Sequence, residues 1–148
     1  MKGWERGLWL LVGAGALHVG EEYLLDWRSW VQQRSGLVVP WDAFWFVNAG
    51  RLVLACAAAW VGARRPELSL ALPSLTLING LFFHIGPTVV LGRISPGVAT
   101  STLLYLPISA WVFWRASEDG VLTGRVAVAS AMLGVLVMAM PIVMFAKR

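Results

Sequence analysis

Apolar runs of about twenty residues alternate with short polar clusters along the whole chain. The runs fall at roughly 7–26, 41–63, 68–92, 96–115 and 122–145. Each is long enough to cross the hydrocarbon layer as a helix, which takes roughly 20 residues. The expected fold is therefore all-α. It is a polytopic membrane bundle of five transmembrane helices forming a single transmembrane domain over residues 1–148. The breaks have distinct chemistry. Asp26-Trp27 ends the first run, and the polar stretch 28–36 reads as the longest loop, ringed by Trp27, Trp30 and Trp41 as interface marks. Arg64-Arg65-Pro66 ends the second run. Ser95-Pro96-Gly97 opens the fourth, with Ser95 as N-cap and Pro96 at the first helical position. Glu118-Asp119-Gly120 makes a turn, and Lys147-Arg148 closes the fifth run.

Composition agrees. Hydrophobic residues make up 58% and charged residues 14% of the chain, where a soluble domain carries about 25% charged residues. Mean hydropathy is +0.70. The net charge of +4 does not point to nucleic acid, because the basic residues other than Arg51 sit at the ends of apolar runs and form no basic face with interleaved aromatics. No nucleic-acid partner is expected, and membrane lipids are the expected surroundings. The two ends of the runs carry six and five basic residues. The N-terminal pair Lys2 and Arg6, together with Arg64-Arg65, favours a cytoplasmic N-terminus. The single cysteine, Cys56, lies in a run and reads as a small packing residue.

Depth carries the functional information. His18, Glu21 and Glu22 are charged or titratable groups in the first run, where such groups are costly. At about 1.5 Å rise per residue, His18 lies roughly 13 Å below the Trp27 interface mark, and Glu21 and Glu22 about 8–9 Å below it. Measured from Trp41, Asn48 is roughly 10 Å deep and Arg51 about 15 Å; measured from Arg93, His84 is about 13 Å deep. Polar groups from three runs thus share one layer, which implies one polar pocket opening towards the side that carries the loop after the first run. His84 shares its helical face with Thr76, Gly80 and Thr88. Asn79, five residues away, falls about 140° off that face in a regular α-helix. Thr100 and Tyr105 are the polar groups the fourth run can add, whereas the fifth reads as a packing helix.

His18, Glu21, Glu22 and His84 form a plausible ligand set for a divalent metal, Zn or Fe, since helical bundles build such sites from His and Glu three or four residues apart. One glutamate of Glu21 and Glu22 would remain for acid or base catalysis. Asn48, Arg51 and Thr100 would orient a hydrophobic, lipid-like substrate reaching the pocket from the bilayer. Two other readings stand beside this metal-dependent enzyme. In one, the same carboxylates and histidines form a proton relay or ion carrier, which for a chain this short calls for an oligomer. In the other, the protein is a structural or accessory subunit whose Arg51 neutralises Glu21 or Glu22.

His18-x-x-Glu21-Glu22 in the first run, His84 in a later one and Pro96-Gly97 after it resemble the HXXEE family of small bacterial integral membrane proteins. The resemblance covers nearly the whole chain in layout. The family carries a Tyr-x-Pro-Gly motif; here Ile94 stands at the tyrosine position, which removes that hydroxyl. The resemblance implies a bacterial inner-membrane location and a functional set of His18, Glu21, Glu22 and His84. It implies no particular activity.

Overall fold

A computed structural model describes residues 2–146. Lys147-Arg148, expected to close the last run, lie outside the described residues. Six helices follow one another: α1 (Gly3–Leu24), α2 (Trp27–Ser35), α3 (Trp41–Val61), α4 (Pro66–Leu91), α5 (98–118) and α6 (Gly124–Ala146). No strand occurs among the described residues.

Three helices are long and apolar enough to cross a membrane: Trp41–Arg64, Pro66–Leu91 and Gly124–Met144. The other two expected spans, α1 and α5, form as helices but carry more polar groups. Surface chemistry suits an apolar solvent. Leu17 on α1, Phe46 and Val53 on α3, Val90 on α4, Leu103 on α5 and Leu136 on α6 all face outwards. Monomeric soluble proteins do not expose apolar surface on this scale.

The interior is built on α1. Trp4, Leu8, Leu11, Ala14, His18 and Glu22 form its buried stripe, at the three- and four-residue spacing of one helical face. This stripe packs against α5 and α3. Gly7 lets α5 come close, since a Cβ there would collide with the Val112 and Trp111 side chains. The first half of α4 packs against α6, where a Cβ on Gly134 would reach the Leu75 backbone at 2.9 Å. Small residues at helix crossings are the usual device for close approach within a membrane.

Three local features depart from the sequence reading. The polar stretch after Asp26 is a helix, α2, and not a loop. Asp26 adopts a left-handed conformation (φ 49°) and accepts hydrogen bonds from the Ser29 backbone and hydroxyl, and Gly36 ends the helix. In α4, residues Asn79–Ile85 widen into a π-helical segment. There the Gly86 N–H bonds the Leu81 carbonyl, which accommodates Pro87, the residue without an N–H of its own. At the start of α5, Gly97 is the N-terminal flanking residue, with φ 97°, and the helix begins at Val98. Ser95 therefore does not act as the N-cap, and Pro96 lies ahead of the first turn.

Candidate metal centre

His18 and Glu22 are one turn apart on the buried stripe of α1, so their side chains meet on one face. His84 approaches from the π segment of α4. Glu22 Oε1 lies 3.6 Å from His18 Nε2 and 3.5 Å from His84 Nε2. The three donor atoms all fall within 4.8 Å of one another. Both histidines are fully buried, and Glu22 is 4% exposed. The two imidazoles meet edge to face at 4.7 Å between centroids, and the Tyr105 ring closes the other side of His18, also at 4.7 Å.

The opposite ring nitrogens are held. His18 Nδ1 is 2.8 Å from Thr100 Oγ1. Thr100 has one hydroxyl proton, and its nearest acceptor is the Glu21 carboxylate, at 2.6 Å. A carboxylate is the stronger acceptor, so the Thr100 oxygen is left to accept from His18 Nδ1–H. That fixes the tautomer in which His18 Nε2 carries a lone pair. His84 Nδ1 faces Ser95 Oγ at 3.3 Å, while the Ser95 hydroxyl donates to the Pro96 carbonyl. Ser95 is itself anchored by its N–H donating to Thr88 Oγ1 at 3.0 Å. Neither His18 Nε2 nor His84 Nε2 has a hydrogen-bond partner, although both are buried. Two orphaned imidazole nitrogens aimed at one carboxylate oxygen form a donor set that could hold a metal ion.

Glu21 has a different place. Its carboxylate accepts from the backbone N–H groups of Gly97, Ala99 and Thr100, at 3.0, 3.1 and 2.8 Å, as well as from the Thr100 hydroxyl. It caps the N-terminus of α5 from another helix, a favourable position for an anion. Expected as a ligand or catalytic group, Glu21 is instead committed to the chain around Gly97, and it reaches the histidines only through Thr100. Gly97 sits against both rings. A Cβ there would lie 2.6 Å from His84 Cε1 and 2.7 Å from His18 Cε1. The Pro-Gly element thus contributes a backbone with no side chain in the way.

Part of the depth layer read from the sequence lines one cavity of about 290 Å³, whereas His18 and Glu21 of that layer do not. Glu22, Asn48, Arg51, Asn79 and His84 all line it. Asn79 joins His84 because five residues make about one turn of a π-helix, which overturns the angle expected for a regular helix. Thr100, expected at the substrate, does not line the cavity and stands between Glu21 and His18. Arg51 makes no ion pair within 4.0 Å among the described residues, so the expected partnership with Glu21 or Glu22 does not form. α2 roofs the cavity with Trp30 and Val31. The sequence reading missed that part of the site, along with Ser95 and Gly97 as groups that touch the histidines.

No curated protein and no solved structure matches the chain. A family model described as a protein of unknown function with HXXEE motif matches residues 9–112. That range holds His18, Glu21, Glu22, His84 and Gly97, and the chain belongs to this family.

Proposed function

We propose that the protein is a metal-dependent membrane enzyme acting on a hydrophobic, lipid-like substrate. It crosses the bilayer five times, on α1, α3, α4, α5 and α6. The outward apolar faces of α1 and α5 support their inclusion as spans, because they match those of the three more apolar helices.

The observation that carries the metal reading is the spacing of the Glu22 carboxylate from the two histidines. Metal–ligand bonds of about 2.0–2.1 Å put neighbouring donors about 3.4 Å apart at a tetrahedral centre. The 3.5 and 3.6 Å separations match that edge and exceed a hydrogen bond. Two histidines and one carboxylate, with a further position left open, are a donor set of catalytic zinc sites; Fe takes similar donors. The open position would face the cavity, where Glu22 and His84 form part of the wall. Thr100 with Glu21, and Ser95, would orient the histidines, as partners of ligating imidazoles commonly do. When bound, the metal would polarise a carbonyl or activate a water. Asn48 and Arg51 would position the polar end of the substrate.

Comparative lipid mass spectrometry tests the enzymatic part. Membranes from cells overproducing the wild-type protein are compared with those carrying Glu22→Gln, with and without a membrane-permeant chelator. At least one lipid class should change with the wild type alone, and the change should vanish with chelation. Identical lipid profiles with verified metal-loaded protein would refute the enzymatic reading.

A further inference from the structure

The wall of the cavity is apolar along most of its length, formed by Phe44, Val47 and Phe83 among others. Asn48, Arg51 and Asn79 are among the polar groups that line it. Arg51 is half-buried there with no carboxylate within 4.0 Å among the described residues. Glu22, the one acidic residue that shares the cavity, turns its carboxylate to the two histidines. A half-buried cation without a counter-charge is costly within a membrane. Beside it, Asn48 Oδ1 and Asn79 Oδ1 are buried acceptors with no donor. The Asn48 amide N–H is already given to the Phe44 carbonyl at 3.0 Å. Arg34 and Ser35 on α2, both exposed, also line the cavity.

These groups specify a ligand. Arg51 calls for an anionic oxygen, the two amide oxygens call for hydroxyl donors, and the wall calls for an apolar chain. A volume of about 290 Å³ is at the small end of ligand pockets, which suits one chain and not two. We propose that the cavity binds a single-chain lipid whose head group carries both an anion and hydroxyls, with the anion on Arg51 and the hydroxyls on Asn48 and Asn79. This deepens the reading above and rests on it for the metal centre beside that head group. The contacts themselves belong to Arg51, Asn48 and Asn79.

The test uses three lipids with the same myristoyl chain: lysophosphatidylglycerol, lysophosphatidylcholine and monomyristoylglycerol. The first has an anion and hydroxyls, the second no net charge, and the third hydroxyls without an anion. Native mass spectrometry of the detergent-solubilised protein measures bound lipid per chain, with metal content determined on the same samples. Wild-type protein should bind lysophosphatidylglycerol about 10- to 100-fold more tightly than monomyristoylglycerol, the range expected of a charge-assisted hydrogen bond. Arg51→Gln should abolish that preference, and Arg51→Lys should keep part of it. Val47→Trp, which fills the cavity, should lose all three lipids while keeping its metal. Equal binding of charged and neutral lipid by the wild type would overturn the proposal, as would an unchanged preference in Arg51→Gln or unchanged binding in Val47→Trp. A preference for the anionic lipid in metal-free protein would count against the metal reading and leave this one standing. Metal-loaded protein without the preference would do the reverse.

Discussion

Replacing Gly97 by alanine adds one methyl group, and the structure places it against both histidine rings. Two costs follow. The first is conformational: Gly97 has φ 97°, a region that an alanine occupies at about 1–2 kcal/mol. The second is steric. The new Cβ would lie 2.6 Å from His84 Cε1, 2.7 Å from His18 Cε1 and 2.7 Å from His84 Nδ1. Those rings are fully buried, and one of them is wedged against Tyr105, so they can yield only by moving their neighbours. Overpacking of this kind costs about 1–3 kcal/mol, and the sum is about 2–5 kcal/mol. A ring displaced by even half an ångström also spoils the donor spacing, so metal affinity should fall together with stability. Gly20→Ala is the control. It lies inside the His-x-x-Glu-Glu motif, yet a Cβ there meets nothing within 4 Å, and alanine should gain about 0.5–1 kcal/mol in a helix. The assay is thermal unfolding in detergent, with and without added zinc, beside metal affinity by competition with a chromogenic chelator. If Gly97→Ala matches the wild type in both readouts, the placement of the 95–97 segment against the histidines is wrong.

The two glutamates should separate cleanly. Glu22→Gln should lose the metal, whereas Glu21→Gln should keep it at about 10- to 100-fold lower affinity and melt earlier, because an amide cannot accept from every donor around it. Equal metal loss in the two variants would argue for Glu21 as a direct ligand. Gly7→Ala should destabilise the α1–α5 crossing by about 1–3 kcal/mol, while Gly13→Ala, with open space around its Cβ, should gain about 0.5–1 kcal/mol as Gly20→Ala does; a reversed order in thermal unfolding would contradict the crossing. The Ser29 hydroxyl bonded to Asp26 lowers the Asp26 pKa below the ordinary aspartate value. Its contribution to α2 is therefore present above the ordinary value of about 3.9 and is lost as pH falls through the lowered one. Amide exchange in α2, corrected for its intrinsic pH dependence, should be flat from pH 7 to 5 and rise only in acid, and Asp26→Ala should raise it at every pH. An α2 that opens near pH 6 would point to a different cap.

The all-helical architecture was readable because apolar runs of spanning length leave few alternatives in a bilayer. Glu22, Asn48, Arg51 and His84 of the expected layer do line one cavity, because rise per residue is nearly constant in helices, whereas His18 and Glu21 of that layer do not. Rotation about the helix axis was not. Between Gly7 and Leu17 α1 is apolar all round, so nothing in its sequence marks Leu8 and Leu11 as the buried stripe, with Leu10 and Leu17 facing outwards. Without that stripe, Glu21 and Glu22 look equivalent. With it, Glu22 continues the stripe one turn after His18, and Glu21 turns to the start of α5. Asn79 was misplaced because a π segment changes the angular advance, and Pro87 was its only signal. α2 was hidden by its polarity: it is an amphipathic roof that brings Trp30 and Val31, and also Arg34, to the cavity. Gly97 left a trace in the Pro-Gly pair, but only the packing of His18 against His84 shows why no side chain fits there.

The central claim is that His18, Glu22 and His84 together hold one metal ion, and stoichiometry tests it most directly. Wild-type protein purified gently from cells supplemented with zinc and iron, and analysed by inductively coupled plasma mass spectrometry, should carry about one divalent metal per chain. His84→Ala and Glu22→Gln should carry almost none, while Arg51→Gln should retain it. Metal-free wild type after such loading, or full metal occupancy in His84→Ala, would contradict the account.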